Sequence, residues 1–434
     1  MDFLMNLLGI MGQTYLFSFV NILFWLVMLL VGFQYRRMVN MEIKMFGIPK
    51  NNALKQTLIS AGFGVVGGLA ASIMLVLIGI SLDQVGIFYL WPLAIMLMLV
   101  NPRYMCFAYA GGIIGVASTL AQVFYPNLPP LGILGSFIEG LANINVPGLM
   151  ALIGILHLTE SILIALSGHI GSSPLYLKKG SREIVGGFSL QKFWPLPIVG
   201  LITMMIPEAA EFMQYGMEMP DWWPILGAPA QVAEGSRAYY MLFPIVAGLG
   251  YGDFAISSEP RKKCLRSARN LGWYSIALVV LAISAHYKLE LALAAALFAP
   301  LGHEFLIMIG NKEELSQSPL YVTPERGIKV LDVLPGYPAY QAGLESGDII
   351  LDINGYTMEN RLDLNEVIQA GERDFILKVI KKRGEELSYR VSLNSYPRKL
   401  GIILVPDSQT SSYVEFKQTS FFESLKGKLL KGKS

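Results

Sequence analysis

The stretch "GYPAYQAGLESGDIILDING", residues 336–355, decides the fold of the carboxy-terminal part of this chain. Apolar residues in "GDIILDING" predict a strand, and the preceding "PAYQAGL" is typical of a short helix. Gly343 lies where a helix end needs a positive φ, and Gly347–Asp348 and Asn354–Gly355 are turn signals. The stretch therefore predicts a small, water-soluble domain of helices and strands.

The flanking sequence extends this pattern in both directions. "GIKVLDVL" at 327–334 predicts a strand, and "LDLNEVIQA" at 362–370 predicts an amphipathic helix. "FILKVIK" at 375–381 and "LSYRVSL" at 387–393 alternate as the strands of a hairpin. The order β-α-β-α-β-β within about 320–405 predicts a small α/β, partly open barrel with one groove-lining helix.

These motifs closely resemble the PDZ family in its bacterial form, where a small helix ends in Ala-Gly-Leu and Gly-Asp opens the next strand. The resemblance covers about 316–405 and implies binding of an extended peptide as an added strand, with backbone N–H groups holding its terminal carboxylate. Two stretches, 326–330 and 399–406, have the hydrophobic-Gly-hydrophobic form of the binding loop, and we favour the second. The predicted peptide-binding residues are Leu400, Gly401, Ile402 and Ile403, faced by Leu364, Val367 and Ile368; the structural motif comprises Gly343, Leu344, Gly347, Asp348, Asn354 and Gly355. The alternative, that the binding residues are ordinary core residues, stays open.

The sequence before this domain is far more apolar. Of 434 residues, 53% are hydrophobic and 15% charged, with a mean hydropathy of +0.49, which indicates a membrane protein. The net charge of +2, spread over short basic clusters, argues against nucleic-acid binding. The predicted division is a transmembrane helical domain at 1–310, a linker and PDZ-like domain at 311–405, and a basic amphipathic tail at 406–434.

Nine apolar runs predict a polytopic α-helical membrane protein with seven to nine spans. The first run is expected to be a retained helix, because it lacks the basic flank and small-residue cleavage site of a signal peptide. The runs are 14–35, 57–80, 86–100, 104–124, 146–167, 193–207, 238–256, 271–286 and 289–309. The third, sixth and eighth are short, so whether they cross or re-enter the bilayer is left open.

Three basic clusters predict the orientation of these runs. Cytoplasmic loops are enriched in Lys and Arg, whereas 125–145 has none and 207–236 carries only acidic charges. Nine crossings from an outside amino terminus place Arg103, the clusters and the PDZ-like domain in the cytoplasm. The clusters are Arg36, Arg37, Lys44, Lys50 and Lys55; Lys178, Lys179, Arg182 and Lys192; and Arg261, Lys262, Lys263, Arg266 and Arg269.

Two features concern contacts with lipid or with a second copy. Gly64 and Gly68, and Gly111 and Gly115, have the GxxxG spacing that permits close helix contact, so a homo-oligomer is one interpretation. In the tail, apolar residues share one helical face beside lysines, which predicts either binding to anionic membrane lipid or a solvated end. The residues of that face are Phe421, Phe422, Leu425 and Leu429.

The candidate catalytic motifs are incomplete. "HEFLI" begins like the zinc helix HExxH with His303 and Glu304, but Ile307 replaces the second histidine. "GYGD" has the form found in intramembrane aspartyl proteases, yet Asp253 has no evident carboxylate partner and is expected to hold a helix end. Cys106 and Cys264 lack CxxC spacing. The sequence therefore predicts no catalytic residue, metal or cofactor, although a divergent intramembrane protease, a substrate-recruiting protease subunit or a transporter-like core stays open.

His157 and Glu160 are the intramembrane polar pair. Their i, i+3 spacing places them on one helical face, and ionisable residues inside a membrane are functional candidates. A proton or ion path would need more such residues on other spans. A structural hydrogen-bonded pair is the preferred interpretation.

The whole arrangement resembles the MinJ family of cell-division topological determinants of Gram-positive bacteria. The resemblance rests on the polytopic region, "HLTE" at 157–160, "GYGD" at 250–253 and "PLGHEFLI" at 300–307, running into the PDZ-like domain. It implies a non-enzymatic scaffold in the bacterial cell membrane, enriched at septum and poles. The implied partners are the coiled-coil polar protein DivIVA and the membrane-associated ATPase MinD.

Overall fold

An apolar helical domain precedes a small strand-rich domain, as predicted. The computed structural model describes residues 2–127, 132–179, 183–207, 219–226, 236–370, 372–393, 399–408, 410 and 412–415, so the predicted lipid-binding face of the tail lies outside the described residues. The helices of the first domain are α1 (Asp2–Phe17), α2 (Ile22–Phe46), α3 (Ala53–Ile78), α4 (Ile87–Val100), α5 (Phe107–Phe124), α6 (Ile133–Ala142), α7 (Val146–Ser167), α8 (Pro260–Tyr287) and α9 (Leu289–Ser316). In the described part of the chain, six of them, α2, α3, α5, α7, α8 and α9, are long and apolar enough to cross a membrane.

Two predicted spans are strands, so the prediction that they are helices is wrong. Residues 193–207 lie in β2 (Glu183–Pro207) and 238–256 lie almost entirely in β3 (Ser236–Ala255). These strands pair antiparallel from Phe188–Ala255 to Pro207–Ser236. Closely spaced prolines and glycines disfavour a helix in both runs, whereas the apolar composition alone does not distinguish helix from strand.

Helix α3 packs against the outer edge of β2 through two glycines. A Cβ on Gly64 would overlap the carbonyl oxygen of Pro195, and a Cβ on Gly68 would overlap that of Pro197. The GxxxG pair of α3 therefore allows a strand, rather than a second copy of the chain, to approach closely. Gly111 and Gly115 of α5 likewise allow close contact with other helices of the same chain. A Cβ on Gly111 would overlap Ile153 of α7, and one on Gly115 would crowd Met150 of α7 and Ala296 of α9.

Two backbone groups at this buried edge of β2 have hydrogen-bond partners within the protein. Pro195 and Pro197 have no N–H to satisfy. The N–H of Val199 donates to Ser72 Oγ at 2.9 Å, and the carbonyl of Leu201 accepts from the N–H of Leu82 at 2.8 Å. Because an unpaired backbone group in hydrocarbon costs several kcal/mol, these contacts explain how a strand is accommodated within an apolar helical domain.

Replacing Gly68 by alanine should lower the thermal unfolding midpoint of the detergent-solubilised protein. Alanine improves helix propensity by about 1 kcal/mol, but the overlap with Pro197 costs about 1–3 kcal/mol or more. Gly62→Ala is the matched control, because a Cβ on Gly62 has no neighbour within 4 Å. Equal midpoints for the two variants would contradict the close contact between α3 and β2.

Helices α4 and α5 are joined by a connection that lies inside the helical domain, and we call this connection, which contains Arg103 and Cys106, the re-entrant tip. The N–H of Asn145, just before α7, donates to the carbonyl of Gln84, just before α4, and the end of α5 reaches the same level, where Gln122 donates to the carbonyl of Ile144. Between α4 and α5, Cys106 contacts His157 halfway along α7. Helix α4 therefore begins, and α5 ends, near the start of α7, while the connection between them lies in the interior of the domain.

The basic clusters lie in the half of the helical domain that faces the carboxy-terminal domain. They occupy the second half of α2 with the α2–α3 connection and the start of α3, β1 (Ser173–Lys179) with the first half of β2, and the first part of α8; Arg182 is outside the described residues. Arg103 lies apart from these clusters: it is at the re-entrant tip and forms an ion pair with Glu304, in the middle of α9. Its charge is thus matched inside the domain rather than at the basic side.

The carboxy-terminal domain follows the predicted order of elements. It comprises β4 (Ile328–Val333), α10 (Pro338–Gln341), β5 (Ile349–Ile353), β6 (Tyr356–Thr357), α11 (Arg361–Gln369), β7 (Asp374–Ile380), β8 (Glu386–Ser392) and β9 (Ile402–Leu404), while β10 (Val414–Glu415) pairs with β1. The sheet order is β8-β7-β5-β4-β9, with β6 paired to β5. Phe375, Leu377 and Val379 of β7 are fully buried in its core.

The two domains share a packed interface. Tyr321, Leu331 and Ile403 of the carboxy-terminal part belong to the same buried apolar cluster as the helical domain. Lys50, in the α2–α3 connection, forms an ion pair of 2.6 Å with Asp332 of β4, and its Nζ also donates to the carbonyl of Ser172. Burial raises the pKa of Asp332, and the Lys50 ammonium opposes that rise. The ion pair therefore fixes one face of the small domain against the larger one.

Candidate functional site

The candidate binding site is the outer edge of β9. Strand β4, which contains part of the first candidate loop at 326–330, pairs with β5 on one side and β9 on the other, so it has no edge for an added peptide. Strand β9 ends the sheet, and among the described residues no further strand pairs with it. The sheet topology thus favours 399–406 over 326–330.

The loop before β9 presents two backbone N–H groups outward. The carbonyl of Leu400 accepts from the N–H of Ala339, and that of Gly401 accepts from the N–H of Leu334 at 2.8 Å. In a trans peptide the C=O and the following N–H point in opposite directions. The N–H groups of Gly401 and Ile402 therefore point away from the domain, where a carboxylate can accept from them.

Gly401 is required in this loop on two grounds. Its φ of 78° lies in the left-handed region, which costs other residues about 1–2 kcal/mol. A Cβ at this position would also overlap the side chain of Tyr337. Hence the loop conformation depends on the absence of a side chain at residue 401.

Helix α11 forms the other wall of the groove. Leu364 is buried and packs in one cluster with Leu400 and Leu404, while Val367 and Ile368 pack partly buried against that cluster, as does Ile402. Ile403 points the other way, into the cluster of the helical domain, so the prediction that it faces α11 is wrong. The reason is that successive side chains of a strand point to opposite faces.

A capping box fixes the start of α11. The Asn360 side chain accepts from the backbone of Leu362 and Asp363, and the Asp363 side chain accepts from the N–H groups of Glu359 and Asn360. The backbone bond from Glu359 lowers the pKa of Asp363, with the Asn360 contacts acting in the same direction. The groove helix thus has a defined amino-terminal end.

The predicted motif residues adopt the special geometry that their types favour. Gly343, Gly347, Asn354 and Gly355 all have positive φ, between 52° and 94°. Asp348 is fully buried; its Oδ2 accepts from the N–H of Glu345 and from Lys381 Nζ, each within 2.9 Å. Leu344 is buried in the core of the same domain. These residues shape the turns around the barrel and do not line the groove.

One residue of the helical domain reaches the groove, and sequence reasoning missed it. The hydroxyl of Tyr176, in β1, donates to the carbonyl of Leu404 at 2.7 Å and accepts from Arg361 of α11 at 3.0 Å. Burial raises the pKa of Tyr176, which keeps its hydroxyl protonated as a donor. The N–H of Val405 donates to the carbonyl of Lys329 in β4. Because the carbonyl and the following N–H of a trans peptide point in opposite directions, the Leu404 carbonyl faces the outer edge of β9, where it accepts from Tyr176.

Comparison with known proteins identifies the small domain. The PDZ domain family matches residues 329–381, which hold α11 and most of β4, the strand beside β9, whereas β9 and the loop before it lie outside the match. The carboxy-terminal domain is a PDZ domain. "Serine protease HTRA1" of Xenopus laevis is 37% identical over 60 residues, but the match covers only 14% of this chain and 12% of that protein. This likeness is confined to the PDZ region and indicates no enzymatic function.

Longer matches include the helical domain. The chain is 25% identical over 407 residues to "Cell division topological determinant MinJ" of Bacillus subtilis, a match that covers 91% of this chain and 95% of that protein. "Probable cell division topological determinant MinJ" of Lacticaseibacillus paracasei is 26% identical over 275 residues, covering 62% of this chain and 68% of that protein. The chain is therefore similar to MinJ proteins in its membrane region as well as in its PDZ domain.

His157, in the helical domain, has other hydrogen-bond partners than the predicted Glu160. Among the described hydrogen bonds, none joins His157 to Glu160; His157 lies 2.8 Å from the carbonyl of Ile153 and 3.1 Å from Cys106 Sγ. Asp253 lies in β3 and contacts the start of α8, where it pairs with Lys263 at 3.2 Å and accepts from Ser267 Oγ at 2.9 Å. The contact of His157 with Cys106 joins residues 51 positions apart, which spacing along one helix could not reveal.

Proposed function

We propose that this chain is a non-enzymatic membrane scaffold that recruits partner proteins through its PDZ domain in bacterial division-site selection. The observation that carries the proposal is the edge of β9 beside α11, to which no strand of the described residues pairs, with two N–H groups at the glycine loop. Such an edge takes an extended peptide as an extra strand. The similarity to MinJ over 91% of the chain supports a role in cell division.

The proposed orientation places the PDZ domain in the cytoplasm, at septum and poles. The basic clusters lie on the PDZ-facing half of the helical domain, and the positive-inside rule assigns such a side to the cytoplasm. The proposed partners are DivIVA and MinD, so that the scaffold bridges a polar protein and a membrane-associated ATPase. A cytoplasmic PDZ domain is accessible to both.

Binding of defined peptides to the full-length protein in detergent tests the peptide-binding role. The probes are peptides with a hydrophobic last residue, prepared with either a free or an amidated carboxyl end. We expect the free acid to bind more tightly, because the N–H groups of Gly401 and Ile402 favour a negative charge. Equal binding of both forms, or binding of neither, would contradict a carboxylate-binding loop.

Tyr176→Phe should increase the affinity for such a peptide several-fold. Tyr176 holds the Leu404 carbonyl, to which an added strand must donate, and one such hydrogen bond contributes about 0.5–1.5 kcal/mol. Fluorescence anisotropy of a labelled peptide measures the change. Tyr389→Phe is the control, since Tyr389 lies on β8 at the opposite edge of the sheet. An unchanged affinity in Tyr176→Phe would mean that the peptide does not use Leu404.

A further inference from the structure

A cysteine and two histidines meet inside the helical domain. Cys106 Sγ lies 3.1 Å from Nε2 of His157 and 3.7 Å from Nε2 of His303, and the ligand atoms all lie within 4.8 Å of one another. Cys106 precedes α5 at the re-entrant tip, while the histidines come from the middle of α7 and α9. Three separate elements therefore direct ligating atoms to one point.

The histidine orientations suit metal binding. His157 Nδ1 lies 2.8 Å from the carbonyl of Ile153, which only accepts, so this nitrogen carries the proton and Nε2 presents its lone pair toward Cys106. A backbone carbonyl in this position is a common outer partner of metal-ligating histidine. His157 is buried, whereas Cys106 and His303 are partly exposed.

We propose that Cys106, His157 and His303 form a metal site for a borderline or soft ion, Zn²⁺ or Cu⁺, with one coordination position left open. Zinc–sulfur and zinc–nitrogen bonds of about 2.3 and 2.1 Å at tetrahedral angles place sulfur and nitrogen about 3.6 Å apart. The separations of 3.1 and 3.7 Å bracket that value. Thiolate and imidazole ligands favour these ions over Mg²⁺ and Ca²⁺.

Two charged residues, Arg103 and Glu304, lie beside the proposed metal site. Glu304 follows His303 but is already engaged: Arg103 pairs with one carboxylate oxygen, and the Tyr109 hydroxyl donates to the other at 2.6 Å. The carboxylate therefore balances Arg103 beside the site. Metal binding would connect the re-entrant tip to α7 and α9, and so stabilise the helical domain around it.

Cobalt binding to the full-length, metal-free protein in detergent tests this site. We expect one Co²⁺ per chain with a thiolate-to-cobalt charge-transfer band that Zn²⁺ abolishes by displacing the cobalt. Cys106→Ser should lose the band, and Cys264→Ser should keep it. His157→Gln and His303→Gln should each weaken binding by about 10-fold or more.

Thermal unfolding distinguishes a variant that has lost a metal ligand from one that has lost its fold. Added Zn²⁺ should raise the unfolding midpoint of the wild type and of Cys264→Ser, but not of Cys106→Ser. Absence of cobalt binding in the wild type would overturn the proposal and leave a simple S–H···N hydrogen bond between Cys106 and His157. Retention of the band in Cys106→Ser would overturn it as well.

Discussion

Gly401→Glu should abolish peptide binding by the PDZ domain, with a loss of about 100-fold or more. A glutamate here requires an unfavourable φ, overlaps the side chain of Tyr337, and brings a negative charge to the two N–H groups that receive a carboxylate. The conformational penalty alone is about 1–2 kcal/mol, and each 1.4 kcal/mol is a factor of ten in affinity. Titration of the full-length variant with the free-acid peptide measures the loss.

Gly384→Glu is the matched control for this substitution. Gly384 has a similar φ of 83°, but it lies in the β7–β8 turn and a Cβ there has no neighbour within 4 Å. It therefore reproduces the backbone strain and added charge without the overlap at the loop. Similar peptide affinities for the two variants would show that the peptide does not bind at 399–406.

Lys50→Met should lower the stability of the docked PDZ domain by about 3–5 kcal/mol, the usual cost of leaving a buried charge unpaired. Asp332 has a side chain only 10% exposed, and Lys50 supplies its ion-pair partner at 2.6 Å. Hydrogen exchange of the β4 amides in the full-length protein measures the change. Lys55→Met is the control, because Lys55 is exposed at the start of α3.

A second substitution and a pH series separate this charge effect from lost packing. Adding Asp332→Asn to Lys50→Met should restore most of the protection, since the buried charge is gone. The pKa of Asp332 is raised by burial, so the folded protein binds a proton more tightly than the unfolded chain. The stability of Lys50→Met should therefore be highest below the ordinary aspartate pKa and fall as pH rises through the raised value. A defect independent of pH would point to packing instead.

The PDZ domain could be predicted because its signals are local. The positive φ at Gly343, Gly347 and Gly355 follows from turn chemistry within a few residues, and alternation sets the strands. The β2–β3 hairpin could not be predicted from apolar composition, although the alternate prolines at Pro195 and Pro197 were a signal against a helix. Those prolines fit the strand edge because α3 approaches it through glycines.

The contacts that define the sites depend on tertiary structure. Tyr176 reaches Leu404 across 228 residues of sequence, and Cys106 reaches His303 across 197. No pattern of spacing in the sequence predicts either contact, because each depends on how the helices and strands pack. Sequence motifs located the peptide groove, whereas the residue that occupies its edge and the cysteine–histidine cluster required the fold.

Recruitment in cells tests the central claim most directly. Full-length protein and MinD, each carrying a fluorescent label, are imaged in a rod-shaped Gram-positive host that expresses the wild type, Gly384→Glu or Gly401→Glu. We predict that the scaffold and MinD gather at septa and poles in the wild type and in Gly384→Glu. In Gly401→Glu the scaffold should remain in the membrane while MinD loses this enrichment. Normal MinD enrichment in Gly401→Glu would contradict recruitment through the PDZ groove.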